Sequence, residues 1–173
     1  IGYLSEDRKR YGIVVGKTVA ENSTMASLKD FLKGIFIDKK KENDATLKYI
    51  DRLKTKTPSV DQLVVNLSGG NQQKVVVAKA LGQEMKVVIM DEPTKGVDVG
   101  AKAEIYSIMG DLAKQGYAII LISSEMPEIL GMADRIVVMC EGKMQQIGTP
   151  EDIYNEPRNA FVADFIGESN IFN

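Results

Sequence analysis

The stretch KVVIMDEPTKGVDVGAKAEIYSIMGDLAKQGYAIILIS, residues 86–123, constrains the fold more than any other part of the chain. KVVIMDEP is a short apolar run ended by two acids and a proline, and YAIILIS is a second apolar run, the pattern of parallel strands buried on both faces. Between them VGAKAEIYSIMGDLAKQ reads as an amphipathic helix, the crossover that two parallel strands of one sheet require. The fold class is therefore α/β, with a mainly parallel sheet and crossover helices. In such sheets, functional residues gather at the carboxyl ends of strands.

Asp91 and Glu92 stand at such an end. An aspartate there suits a magnesium-associated role, and a neighbouring glutamate can orient or deprotonate an attacking water. The chain has no histidine, so its proton acceptor is a carboxylate. Acids also end strands simply because the chain has reached solvent. LSGGNQQ, residues 67–73, is a second candidate. Ser68 can cap a helix running to about Leu81, and Gly69 and Gly70 leave first-turn N–H groups uncovered where the helix dipole favours an anion. A glycine pair at a helix start equally suits close packing against another element.

The letters GKT in YGIVVGKTVAEN do not make a phosphate loop. That loop needs G-x-x-x-x-G-K-[ST], with four residues between the glycines, whereas only three separate Gly12 from Gly16, and SEDRKRY before them is too charged for a buried strand. Thr18 and Glu21 instead form a capping box opening a helix through VAENSTMASLKDFL. A second helix, DKKKENDATLKYIDRLK, carries Leu47, Ile50 and Leu53 at helical spacing, with its lysines on a solvated face. With the short strand IGYLS ahead of them, these make the first half more helical, as an inserted lobe over about 18–85 would be. Beyond the sheet, EMPEILGMA reads as a short helix and RIVVMCEGKMQQIG as two strands turning at Glu141 and Gly142. Pro150, Glu151 and Asp152 start a helix whose apolar face is Phe161, Val162 and Phe165. The domain reading is 1–149, followed by a helical extension over 150–173.

A net charge of -2 gives no general basic face, so nucleic acid is not expected as a partner. The lone Cys140 excludes an intramolecular disulfide and suits a reducing compartment. No apolar run approaches a membrane span, so any membrane role is expected to come through a partner.

LSGGNQQK resembles the signature loop of ATP-binding cassette proteins, VVIMDEP their Walker B strand, and TKGVD, ending in Asp98, their D-loop. IGYLSEDRKRYGIVVGKTVAEN resembles the segment around their Q-loop. The wording SEDRK and DEPTKGVDVGAK resembles the second cassette of tandem ATPases that power ribose, galactose and xylose import. The resemblance implies a P-loop NTPase-like cassette fragment, with the P-loop part expected upstream of Ile1. It implies that Ser68, Gly69 and Gly70, with Asn71 and Gln72 beside them, face the ATP of an opposing cassette. Asp91 would position Mg2+ through water, Glu92 would activate the hydrolytic water, and Asp98 would help join two cassettes.

Glu6 falls where most cassettes have the Q-loop glutamine, and Ser124 where they have the switch histidine. A glutamate offers no amide donor and a serine no positive charge, so a regulatory cassette that binds nucleotide without efficient turnover is a second reading. The implied partners are a second cassette, a membrane permease and a periplasmic or extracellular substrate-binding protein, at the cytoplasmic face of the membrane. The tail EGKMQQIGTPEDIYNEPRNAFVADFIGESNIFN resembles polyamine-type importers, which makes polyamine import the runner-up to sugar import.

Overall fold

The computed structural model describes residues 1–83 and 85–170; Glu84 and residues 171–173, the end of the expected C-terminal extension, lie outside the described residues. The chain groups into a unit Ile1–Ile122 and a second unit that begins at Ser123, whereas the sequence reading drew its boundary at 149/150.

The first unit opens with β1 (Gly2–Leu4) and a single π-helical turn, Arg8–Gly12, whose entry is capped where Asp7 accepts from the Arg10 N–H. There follow α1 (Val19–Thr24), a 3-10 segment Met25–Phe31, a hairpin of β2 (Leu32–Lys33) and β3 (Phe36–Ile37), and α2 (Lys39–Leu53). Next come α3 (Gly69–Leu81), β4 (Val87–Asp91), α4 (Val99–Lys114) and β5 (Ala118–Ile122). The sheet order is β1-β4-β5, all parallel, with α4 as the crossover from β4 to β5.

The register pairs Leu4 with Met90 and Met90 with Leu121, so these residues share one face with Val88. That face is buried, as α3 packs on β1 and α4 on β5. Tyr3, Ile89 and Ile120 share the other, on which Ile120 and Ile122 remain 51% and 47% exposed. The expected burial of both faces is thus corrected: among the described residues of the first unit, helices pack on one face of the sheet and leave Ile120 and Ile122 exposed on the other.

The lobe between β1 and β4 is set by side-chain hydrogen bonds to backbone. Thr18 Oγ1 accepts from the Glu21 N–H at 3.1 Å while Glu21 Oε2 accepts from the Thr18 N–H at 3.0 Å, the reciprocal capping box. Lys17, the lysine of GKT, pairs with Glu21 at 3.1 Å. The single helix expected through VAENSTMASLKDFL breaks at Thr24, and Ser27 leaves helical geometry at φ -124, ψ 30. The Thr24 hydroxyl donates to Ala20 O and lies 2.9 Å from Glu42 Oε1, an alternative to regular helix that Ser and Thr offer the backbone. Glu42, buried on α2, also accepts from Lys39 at 2.8 Å. Of the expected apolar stripe on α2, Leu53 is buried, Ile50 is half-buried and Leu47 is exposed.

The second unit contains α5 (Met126–Met132), the antiparallel pair β6 (Ile136–Cys140) and β7 (Lys143–Gly148), α6 (Pro150–Asn155) and α7 (Ala160–Asn170). Glu141 and Gly142 turn the hairpin, both at positive φ, as a twist-matched two-residue loop requires. Met126, Ile136, Val138, Ile153, Val162 and Ile166 make one core. The apolar face of α7 is therefore Val162 and Ile166, while Phe161 and Phe165 lie exposed and stack ring on ring at 6.0 Å. Among the described residues no helix is long and apolar enough to cross a membrane.

Candidate functional site

Two acids emerge from the carboxyl end of β4 in different ways. Asp91 ends the strand half-buried, and its Oδ2 accepts a 2.8 Å hydrogen bond from the Tyr3 hydroxyl on β1. The carboxylate, by accepting that bond, holds the Tyr3 phenol above its usual range. Glu92 sits in the left-handed region at φ 46, which for a non-glycine residue stores roughly 1–2 kcal/mol of strain. Its N–H still donates to Ile122 O at 2.8 Å, and its carbonyl accepts from the Lys95 N–H at 3.1 Å. The chain therefore leaves the sheet in a tight turn immediately after Asp91.

Lys95 closes that turn electrostatically. Its ammonium meets Glu6 Oε1 at 2.5 Å, and this hydrogen bond, with the charges of Glu6, Glu92 and Asp91, raises the Lys95 ammonium above its usual range. Both partners are about half exposed, so water screens the pair.

Arg8 reaches from the opposite side. It donates from Nη1 to Lys95 O at 3.0 Å, from Nη2 to Gly96 O at 3.4 Å and from Nε to Gln72 Oε1 at 3.5 Å. One guanidinium thus joins the segment after β1, the loop after β4 and the first turns of α3, a geometry its planar fork suits.

The start of α3 departs from expectation in one respect. Ser68 occupies the N-cap position, yet its hydroxyl caps no backbone group and instead accepts from Asn71 Nδ2 at 2.9 Å. Asn71 Oδ1 is taken by the Lys56 N–H at 2.8 Å, so the Ser68–Asn71 pair points into a surface network and leaves the first-turn donors without a side-chain cap. Gln72 is buried, its Nε2 donating to Val64 O and Leu67 O, which makes it an internal strut in this structure.

Gly70 has no room for a side chain, and Gly69 only as much as a shift of the Arg8 side chain would open. A Cβ on Gly69 would lie 2.8 Å from Arg8 Nη2 and 3.2 Å from Gly96 O, and one on Gly70 would lie 2.5 Å from Ala101 Cβ. Close packing, one of the two readings of the pair, is therefore what the geometry displays. Asp98 caps α4 by accepting from the Ala101 N–H at 2.9 Å, and Ala101 is the residue against Gly70. The amino-terminal ends of α3 and α4 thus meet, bringing two positive dipole ends together. Behind them Lys74, 1% exposed, donates to Lys54 O at 2.9 Å and pairs with Glu104 at 2.7 Å, which holds the Glu104 carboxyl below its usual range.

Glu6, residues 68–72, Asp91, Glu92 and Asp98 all belong to the first unit, and Ser124 to the second. Ser124 lies exposed just ahead of α5, where its neighbour Ser123 bonds Glu128 at 2.5 Å and accepts from the Glu125 N–H at 3.0 Å. Tyr3, Arg8 and Lys95 were missed from sequence. The charged run SEDRK contains Arg8 but does not say that Arg8 bonds residues 87 and 88 positions away. Among the described residues no group of three or more His, Cys, Asp or Glu converges as a metal cage. A single carboxylate such as Asp91 suits a magnesium ion that keeps waters and is held mainly by phosphates.

The model of the family described as ABC transporter matches residues 1–95. A putative ribose/galactose/methyl galactoside import ATP-binding protein of Rhizobium etli is 54% identical over 144 residues, covering 83% of this chain and 28% of the relative. The ribose import ATP-binding protein RbsA of Rhodopirellula baltica is 46% identical over 146 residues, 84% of this chain and 29% of the relative. The arabinose import ATP-binding protein AraG of Rhizobium meliloti is 52% identical over 140 residues, 80% and 28%. The chain thus spans between a quarter and a third of the length of these relatives. With its parallel sheet, its crossover helix and the match over residues 1–95, the chain belongs to the ABC transporter family.

Proposed function

We propose that this chain is part of the ATP-hydrolysing component of a simple-sugar importer. The observation that carries the reading is the meeting of the uncapped first turn of α3 with the start of α4 and the loop after β4, held together by Arg8. This gives a helix start with no side-chain cap, built of Ser68, Gly69 and Gly70, in the same unit as Asp91 and Glu92. It suits the phosphates of a nucleotide carried by an opposing cassette.

In this reading Ser68, Gly69 and Gly70 face those phosphates, with Asn71 fixing the Ser68 hydroxyl and Gln72 bracing the turn from behind. Magnesium, when bound, neutralises phosphate charge. Asp91 would help hold the ion, its carboxylate oriented by the Tyr3 hydroxyl. Glu92, in the tight turn that ends β4, orients the attacking water and takes its proton on a carboxylate oxygen. Asp98 fixes the start of α4 where a second cassette would meet it, and Ser124 stands in for the switch residue. The partners are a second cassette, a permease and a substrate-binding protein, with the ATPase at the cytoplasmic face of the membrane. The relatives named for ribose, galactose and arabinose import support a sugar over a polyamine.

The test is uptake of labelled ribose and galactose by cells in which the full-length protein is the sole cassette for its permease. Sugar uptake that fails when Asp91 is changed to Asn supports the reading, and uptake of spermidine in place of sugar overturns it. The second reading, a cassette that binds nucleotide without efficient turnover, is favoured by the Glu6–Lys95 pair, which engages the Glu6 carboxylate. Single-turnover hydrolysis resolved for each site of the assembled dimer separates the two.

A further inference from the structure

The hairpin of β2 and β3 is the most exposed apolar element of the first unit, and none of the nucleotide chemistry above uses it. Ile35 at its tip is 88% exposed and Phe36 73%, with Leu28, Leu32 and Ile37 also exposed beside them. The projection is braced at its base: Phe31 is buried, the Asp38 N–H donates to Phe31 O at 2.8 Å, and Lys41 Nζ donates to Asp30 O at 2.5 Å. Gly34, at φ 66, supplies the left-handed residue that lets the two short strands turn. Clusters of apolar side chains held out in this way mark interaction surfaces rather than chance exposure.

The charge around the tip identifies the kind of surface. Residues 29–41, KDFLKGIFIDKKK, hold five lysines and two aspartates, a net of +3, while the whole chain carries -2. All five lysines are exposed, but Lys39 is paired with Glu42 just past this stretch and Lys41 holds Asp30 O, which leaves Lys29, Lys33 and Lys40 to form the basic collar. The register sets Lys33 directly opposite Phe36, so the two side chains leave the same face of the hairpin. Long lysine stems can lie along an apolar surface while their heads reach outward to phosphate. A second copy of the chain would bring like charges face to face across a two-fold axis, which disfavours it. An apolar tip with a collar of lysines fits a bilayer surface rich in anionic headgroups, where burial of the tip and attraction of the collar act together.

We propose that the β2–β3 hairpin inserts Ile35 and Phe36 at the surface of an anionic phospholipid bilayer, with Lys29, Lys33 and Lys40 facing the headgroups. The contact is direct and independent of nucleotide, so the chain touches the membrane itself as well as through a partner. The test is flotation of the chain with vesicles of neutral phosphatidylcholine and with vesicles enriched in phosphatidylglycerol. Binding to the anionic vesicles and not the neutral ones, weakening as salt is raised, is the expected result. The pair Ile35→Ser with Phe36→Ser, and separately the pair Lys33→Gln with Lys40→Gln, should each weaken it about tenfold or more. Ile120→Ser, on the exposed sheet face, should leave it unchanged. All these side chains are exposed, so circular dichroism and melting should match the parent chain. Equal flotation with neutral vesicles would overturn the proposal, as would loss on Ile120→Ser alone. No vesicle binding, with hairpin-dependent self-association or hairpin-dependent capture by a detergent-solubilised permease, would assign the surface to a protein instead.

Discussion

Replacing Gly70 with alanine tests whether the glycine pair is set by packing. The new methyl would sit 2.5 Å from Ala101 Cβ, whereas carbon atoms rest about 3.5–4.0 Å apart. The starts of α3 and α4 must then separate by about 1 Å, against the Asp98 cap and the Gly69 contact with Gly96. Such overpacking costs about 1–3 kcal/mol. Alanine in a helix returns up to about 1 kcal/mol relative to glycine, so the net loss should be about 1–2 kcal/mol. For a chain of this size that lowers the melting temperature by about 2–8 °C, read by circular dichroism. Ala101→Gly removes the opposing methyl, and in the double variant the clash vanishes. A double-mutant cycle should return a coupling of about 1–2 kcal/mol. Gly70→Ala that is as stable as the parent, or a loss that Ala101→Gly fails to relieve, would refute the packing argument.

Glu104 gives a pH signature. Lys74 holds its carboxyl below the ordinary value of 4.5, so this contribution to stability is present above about pH 4.5 and is lost as pH falls through the lowered folded value. Glu104 is nearly half exposed, so the contribution is under about 1 kcal/mol. Urea unfolding of Glu104→Gln across the acid range should show a shallower loss than the parent chain. The GKT letters give another contrast: Thr18→Ala should cost about 1 kcal/mol through the lost capping box. Lys17→Ala, by contrast, should change melting little and leave ATP affinity in calorimetry unaltered.

The strand–helix–strand core was legible because a four-residue apolar run, an amphipathic helix and a second apolar run admit one arrangement, and β4, α4 and β5 follow it. The capping box at Thr18 was equally plain, since both its bonds are local in sequence. The open face of the sheet was not legible, because Ile120 and Ile122 are as apolar as strand residues covered on both sides. Nor was the helix break at Thr24, which depends on its hydroxyl finding Glu42, 18 residues away. The acids at the end of β4 were identified from their position, but their surroundings were not. Tyr3, Glu6, Arg8 and Lys95 come together through a parallel pairing of β1 with β4 that joins the two ends of the lobe. The hydroxyl of Ser68 shows the same limit: its residue type suits a cap, and a neighbouring amide, Asn71, takes it instead.

The account rests most on Glu92 as the group that receives the proton of the attacking water. Steady-state ATP turnover by the full-length protein carrying Glu92→Gln, with nucleotide affinity measured alongside, addresses it directly. Loss of a general base should lower turnover by about 100-fold or more while ATP binding is retained. Turnover equal to that of the unaltered protein would remove Glu92 from the chemistry and contradict the account.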